Sequence, residues 1–76
     1  MTTTLAQDST AARVRAELGR RGLPDAALCP VLGLSRTGVM RRLQGSTDWS
    51  VTELLAVAGF LGVAPVALLP EVPAAA

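Results

Sequence analysis

Apolar residues recur along this chain at spacings of three and four, and no stretch alternates at two with β-branched residues, so the pattern predicts helices and no sheet. A first helix is expected over about 5–21, with Ala11, Val14 and Leu18 on one face and Gly22 where a C-terminal glycine belongs. Thr4 with Gln7 is one capping box for its start; Asp8 or Ser9 would cap a shorter version. A second short helix, about 25–32, places Leu28 and Leu32 together and ends at Gly33. Pro30 lies inside it, removes one backbone hydrogen bond and crowds the preceding turn, so this helix should be kinked or begin late. The third, about 36–44, has Ser35 as N-cap, Val39 and Leu43 at i, i+4, and Gly45 behind it. The fourth, 51–61, has the clearest start, the capping box Ser50-Val51-Thr52-Glu53, followed by Leu54, Val57, Ala58 and Leu61 on one face before Gly62. A fifth, about 65–69, opens on Pro65 and carries Leu68 and Leu69 at its end; Pro70 and Pro73 stop it, leaving 70–76 frayed. The expectation is a compact all-α domain of five short helices spanning residues 1–76.

Size and composition narrow the function. Seventy-six residues make one small domain, which buries only about 60% of its unfolded surface and gains from a partner copy. Half the residues are apolar, so the chain is not of the disordered kind. Cys29 is the one cysteine, no intrachain disulfide can form, and a reducing compartment is expected; Cys29 reads as a small buried residue rather than a redox sensor. There is no histidine and no tyrosine, which removes serine–histidine and cysteine–histidine nucleophile pairs and any cysteine–histidine zinc site. No enzyme activity, metal, cofactor or small-molecule ligand is expected. The uncharged run from Leu54 to Pro70 is at the lower length limit for a membrane span, but Gly59, Gly62 and Pro65 interrupt it, and it reads better as one helix stopping and another starting. The N-terminus lacks the basic and apolar regions of a signal peptide, so a cytoplasmic location is expected.

Charge is unevenly placed. All seven basic residues are arginines between Arg13 and Arg42; against Glu17 and Asp25 they leave that segment at +5. Residues 1–12 carry −1 and residues 43–76 carry −3. A positive half joined to a mildly acidic apolar half points to a nucleic-acid or other anionic contact made by the first half.

The segment from Leu28 to Gly45 is the informative one. Two short helices joined by Gly33-Leu34-Ser35 have too short a link to lie antiparallel and must cross steeply, which is helix-turn-helix geometry. Cys29 is small beside the turn, Gly33 permits its backbone, Leu34 plugs beneath it and Val39 anchors the third helix. With Gly22-Leu23, Leu28, Leu32-Gly33-Leu34-Ser35-Arg36, Val39 and Arg41-Arg42-Leu43-Gln44-Gly45, the chain resembles the phage Cro and repressor type (XRE-like) of helix-turn-helix domain. The likeness continues through Ser50-Val51-Thr52-Glu53-Leu54-Leu55-Ala56-Val57-Ala58 and Leu61-Gly62-Val63 and covers roughly residues 10–70.

The resemblance implies that the third helix reads the major groove of double-stranded DNA. Helical geometry agrees: with Val39 buried, Thr37 and Arg41 lie about 160° away on the outer face, and Arg36 is in the first turn. The expected base-reading residues are Arg36, Thr37, Met40 and Arg41, with Met40 available for a thymine methyl. Gly38 would leave the helix surface bare for close approach to DNA. Ser35, Arg42, Gln44, Ser46 and Thr47 are expected to touch the DNA backbone. Pro24-Asp25 departs from the pattern, since the family often presents amide or hydroxyl side chains to a phosphate at the entry of the second helix and Asp25 would repel one. Trp49 precedes Ser50 at a hydrophobic-staple position and reads as core or staple rather than a base-stacking residue. Arg13, Arg15, Arg20 and Arg21 are distributed around the first helix and read as mostly solvated. A homodimer through Val63, Val66, Leu68 and Leu69 on an inverted-repeat operator is expected, as in a Cro-like or small immunity-type repressor. An antitoxin or excision factor would share the fold, and a protein-interaction module using the apolar C-terminal helices is the competing class.

Overall fold

Ser50 and Glu53 open a helix as their spacing requires: Ser50 Oγ accepts from Glu53 N at 3.1 Å, and Glu53 Oε1 accepts from Ser50 N at 3.0 Å. Trp49 and Leu54, at the positions flanking this cap, both pack against the core and border one cavity, the placement of a hydrophobic staple. This helix is the last of four α-helices in the computed structural model, which describes residues 10–69. They are α1 (Thr10–Arg20), α2 (Leu28–Leu32), α3 (Arg36–Leu43) and α4 (Val51–Leu61). A 3-10 turn, Asp25–Ala27, leads into α2, and a second, Pro65–Leu68, follows α4. Among the described residues there is no strand, and the domain is all-α as the periodicity predicts.

Two boundaries differ from expectation, each for a local reason. The second helix does begin late. Asp25–Ala27 is a 3-10 turn, and Pro30 becomes the third residue of α2, where a backbone N–H has no intrahelical acceptor to lose. The fifth helix is only the 3-10 turn Pro65–Leu68, too short a run between Pro65 and Pro70 to complete an α-helical turn. The first helix is described from Thr10, so its expected start near Leu5 and its caps lie outside the described residues, as does the tail 70–76.

The core is drawn from all four α-helices and the last turn. Val14 and Leu18 of α1, Leu28 of α2, Val39 and Leu43 of α3, Val57, Ala58 and Leu61 of α4, and Leu68 of the last turn are all buried and form one cluster. The helical face predicted for each element is the face that is buried, with Leu32 and Leu54 half-buried at its margin. Leu68 corrects one expectation. It is 0% exposed and belongs to this core, so it has no surface to offer a partner copy.

α2 and α3 meet at the turn Gly33-Leu34-Ser35. Gly33 has φ +66°, a left-handed conformation that costs a Cβ-bearing residue energy, and Leu34 N donates to Cys29 O at 3.1 Å to close α2. Ser35 then caps α3, its Oγ accepting from Gly38 N at 3.2 Å. Leu34 alone separates the two caps, so α3 leaves at an angle set by these few bonds. α1 packs on α3 and on the last turn, while α2 packs on α3 and α4. Within the described residues no helix is long and apolar enough to cross a membrane; α4 spans 11 residues and ends at Gly62.

Candidate nucleic-acid interface

α3 is fixed from behind and open in front. Val39 and Leu43 hold its inner face in the core. Its C-terminus is closed by Ser46 N donating to Arg41 O at 2.9 Å and Gly45 N to Arg42 O at 3.2 Å, the paired bonds of a Schellman motif. Arg15 reaches across from α1 and donates from Nη1 to Leu43 O, satisfying another terminal carbonyl. On the outer face, Arg36, Thr37, Met40 and Arg41 are all exposed, and neither the Arg36 nor the Arg41 side chain makes a hydrogen bond or ion pair among the described residues. The four residues expected to read bases therefore lie together on one accessible helix face.

The residues expected to touch the backbone divide. Ser35, Gln44 and Ser46 are exposed at the two ends of α3. Thr47 is half-buried and lines the cavity beside Thr10 and Trp49. Arg42 is engaged within the protein: its Nε lies 3.0 Å from both carboxylate oxygens of Glu53, and its Nη1 donates to Gly38 O at 3.2 Å. As placed, its guanidinium ties α3 to the capping box of α4 rather than facing outward. Hydrogen bonding from Arg42 holds the Glu53 carboxyl below its ordinary value of 4.5, against the opposing effect of burial, with Ser50 N–H adding to the lowering.

A Cβ built at Gly38 would meet the Leu34 side chain at 3.4 Å, an ordinary van der Waals contact, so this position faces the turn within the domain. The α1 arginines are mostly committed too. Arg20 and Arg21 both pair with Glu17, whose carboxyl is lowered chiefly by its hydrogen bond from Arg21. Arg15 caps α3, and Arg13 Nε is buried without a hydrogen-bond partner, as is Trp49 Nε1.

Beside α3 runs an open groove of about 240 Å³, lined by Pro24, Asp25, Ala26, Cys29, Arg36, Val39 and Met40. Asp25 thus sits at the edge of the same face as Arg36 and Met40 and brings a negative charge to it. Sequence reasoning found the outer face of α3, because exposure follows from the helical repeat. It missed Arg15 on Leu43 and Arg42 on Glu53, contacts between residues 28 and 11 positions apart with no local signal.

Over residues 6–75 the chain matches the protein family described as BetR domain. No curated protein and no solved structure matches it. The match spans nearly the whole chain and, with the all-helical fold, is consistent with a small DNA-binding domain in a regulatory role.

Proposed function

The chain belongs to the BetR domain family, and on that premise we propose that it is a sequence-specific transcriptional regulator of the Cro-like or small immunity-repressor kind. It sets α3 in the major groove and binds a palindromic operator as a dimer, in the cytoplasm of a bacterial cell. The observation that carries this reading is the outer face of α3. Arg36, Thr37, Met40 and Arg41 are exposed there side by side, and both arginines are free of internal partners. A guanidinium that spans guanine O6 and N7 discriminates by about 1–3 kcal/mol, so two of them favour half-sites containing G. Ser35, Gln44 and Ser46, exposed at the helix ends, supply neutral backbone contacts that fix register.

The test is selection from random and genomic DNA pools at two salt concentrations, beside Arg41→Ala and Arg36→Ala variants. A palindromic site selected by the wild type and weakened about 5- to 150-fold in either variant supports the reading. Weak, unselective binding that disappears with added salt removes it and leaves counterion release by a basic face. The interaction-module reading then takes its place.

A further inference from the structure

We propose that Asp25 is a positioning residue for Arg36: on the operator its carboxylate takes one edge of the Arg36 guanidinium and so holds the other edge on a single guanine. This rests on the DNA-binding reading above and adds to its specificity a residue that lies outside α3. Asp25 opens the 3-10 turn Asp25–Ala27, and that turn packs directly on α3. Asp25 and Arg36 border the same groove of about 240 Å³, and its other lining residues, Pro24, Ala26, Cys29, Val39 and Met40, bring no charged side chain to it. Asp25 is half-buried and Arg36 is exposed. Neither side chain makes a hydrogen bond or ion pair among the described residues. One groove thus brings together an unpaired anion on a packed turn and an unpaired cation on the recognition helix.

The two side chains differ in reach. An aspartate carries its carboxylate on a single methylene, so the charge stays where the packed turn puts it. An arginine has a long stem and loses much rotamer freedom when it is held in one place. In water the pair gains little by closing, because an exposed ion pair hardly repays that ordering. A duplex laid over the groove changes the balance. Water leaves, the two charges interact more strongly as the effective dielectric falls, and a carboxylate left alone beside phosphates becomes costly. Arg36 is the cation bordering the groove that can relieve it. Both contacts can be made at once. The guanidinium is a planar fork with five N–H donors; a carboxylate takes two along one edge, and guanine O6 and N7 take two at another. Tied at one edge, Arg36 reaches fewer base positions and reads one of them more strictly.

A carboxylate in this place also repels phosphate, which sets the sign of a second effect. Non-specific binding is held chiefly by phosphate contact, and Asp25 weakens it whether or not Arg36 meets a guanine. On the operator the Asp25–Arg36 pair offsets that repulsion. Asp25 therefore lowers affinity for wrong sequences and sharpens discrimination at one base pair. Repulsion alone would lower affinity for every duplex alike, and a purely structural Asp25 would act on all of them through the fold.

The experiment measures binding to three duplexes: the selected operator, the operator changed at the base pair whose preference Arg36→Ala loses, and an unrelated sequence. Wild type is compared with Asp25→Asn, Asp25→Ser, Asp25→Glu, Arg36→Ala and the Asp25→Asn, Arg36→Ala double variant. Asn and Ser suit a turn as well as Asp does, so these proteins should fold, and thermal unfolding checks each one. Asp25→Asn and Asp25→Ser are expected to bind the unrelated duplex about two- to fivefold tighter. Both should lose about tenfold in discrimination at the Arg36 base pair and none at other positions. In the Arg36→Ala background Asp25→Asn should change discrimination no further, and Asp25→Glu, which keeps the charge, should recover part of it. Equal tightening on all three duplexes overturns the proposal and leaves a carboxylate that only repels DNA. Lost discrimination that persists in full without Arg36 overturns it too, as does an Asp25→Asn protein that behaves as wild type. A wild type that selects no operator removes the DNA-binding reading and this proposal with it; one that selects an operator while Asp25→Asn keeps full discrimination removes this proposal alone.

Discussion

Replacing Glu53 by Ala should cost the domain about 2 kcal/mol, because one carboxylate serves two elements at once. It accepts from Arg42 Nε at 3.0 Å on each oxygen and from Ser50 N at 3.0 Å. The Arg42 and Glu53 side chains are each 18% exposed, so the pair is partly shielded from water without being desolvated. A hydrogen bond to a charged group contributes about 1.5–3 kcal/mol, and residual solvation moves this pair toward the lower end of that range. Losing the return half of the capping box adds about 0.5 kcal/mol. Total stability for a chain of this length is about 4–11 kcal/mol, so the loss is a large share of it. Thermal unfolding followed by circular dichroism at pH 7 should show Tm lowered by about 8–16 °C. Glu53→Gln keeps one acceptor oxygen for Ser50 N–H and loses the charge and the second acceptor for Arg42, so it should cost about 1 kcal/mol. A double-mutant cycle with Arg42→Ala should return a coupling of about 1 kcal/mol. A Glu53→Ala protein within about 0.5 kcal/mol of wild type, or a cycle with no coupling, would refute the reasoning.

Acid should erase the same contribution. The folded protein holds Glu53 below its ordinary 4.5, so its stabilisation is fully present above that value and lost as pH falls through the lowered one; the gap between wild type and Glu53→Gln should close on acidification in pH-resolved urea melts. Leu68→Ala should destabilise the fold by about 2–5 kcal/mol in the same melts, as for any fully buried leucine, and should do so at concentrations where only monomer exists. Gly33→Ala should cost about 1–2 kcal/mol through the left-handed backbone at φ +66° alone, since the added methyl group enters open space, read as a lowered urea midpoint at unchanged slope. Specific binding should show a shallow salt dependence, with log K falling by about 1–2 units per tenfold salt for each module, measured by titration across a salt series.

What was legible in the sequence is what a helix decides locally. The buried faces of α1, α3 and α4 follow from spacing, and the capping box at Ser50 and Glu53 forms as read. The outer face of α3 was legible for the same reason, since the anchoring of Val39 and Leu43 dictates which residues face out. Pro30 was legible only as a conflict, and the chain resolves it by shifting the α-helix start to Leu28. Tertiary reach was not legible. Gly38 faces Leu34, Arg42 folds back on Glu53 and Leu68 turns inward, and each depends on how helices are placed against one another.

That distinction changes the electrostatic argument most. Counted along the chain, seven arginines and a segment at +5 suggest a broadly basic surface that holds DNA by many phosphate contacts. Counted in the fold, Arg20 and Arg21 share the single carboxylate of Glu17, Arg42 is paired with Glu53, and Arg15 is held at a helix end with its charge intact. Asp25 offsets part of what remains beside α3. On the outer face of α3 the positive charge free of internal partners comes from Arg36 and Arg41, the two arginines proposed to read bases. If all seven arginines neutralised phosphates, log K would fall by about six units per tenfold salt, and with two the fall is at most about two. On the proposed reading, such a domain gains less from non-specific attraction and depends more on correct base contacts and on a second copy beside it. Weak individual binding and strong dependence on a paired site then have a single cause, the use of arginine to hold the fold rather than to coat it.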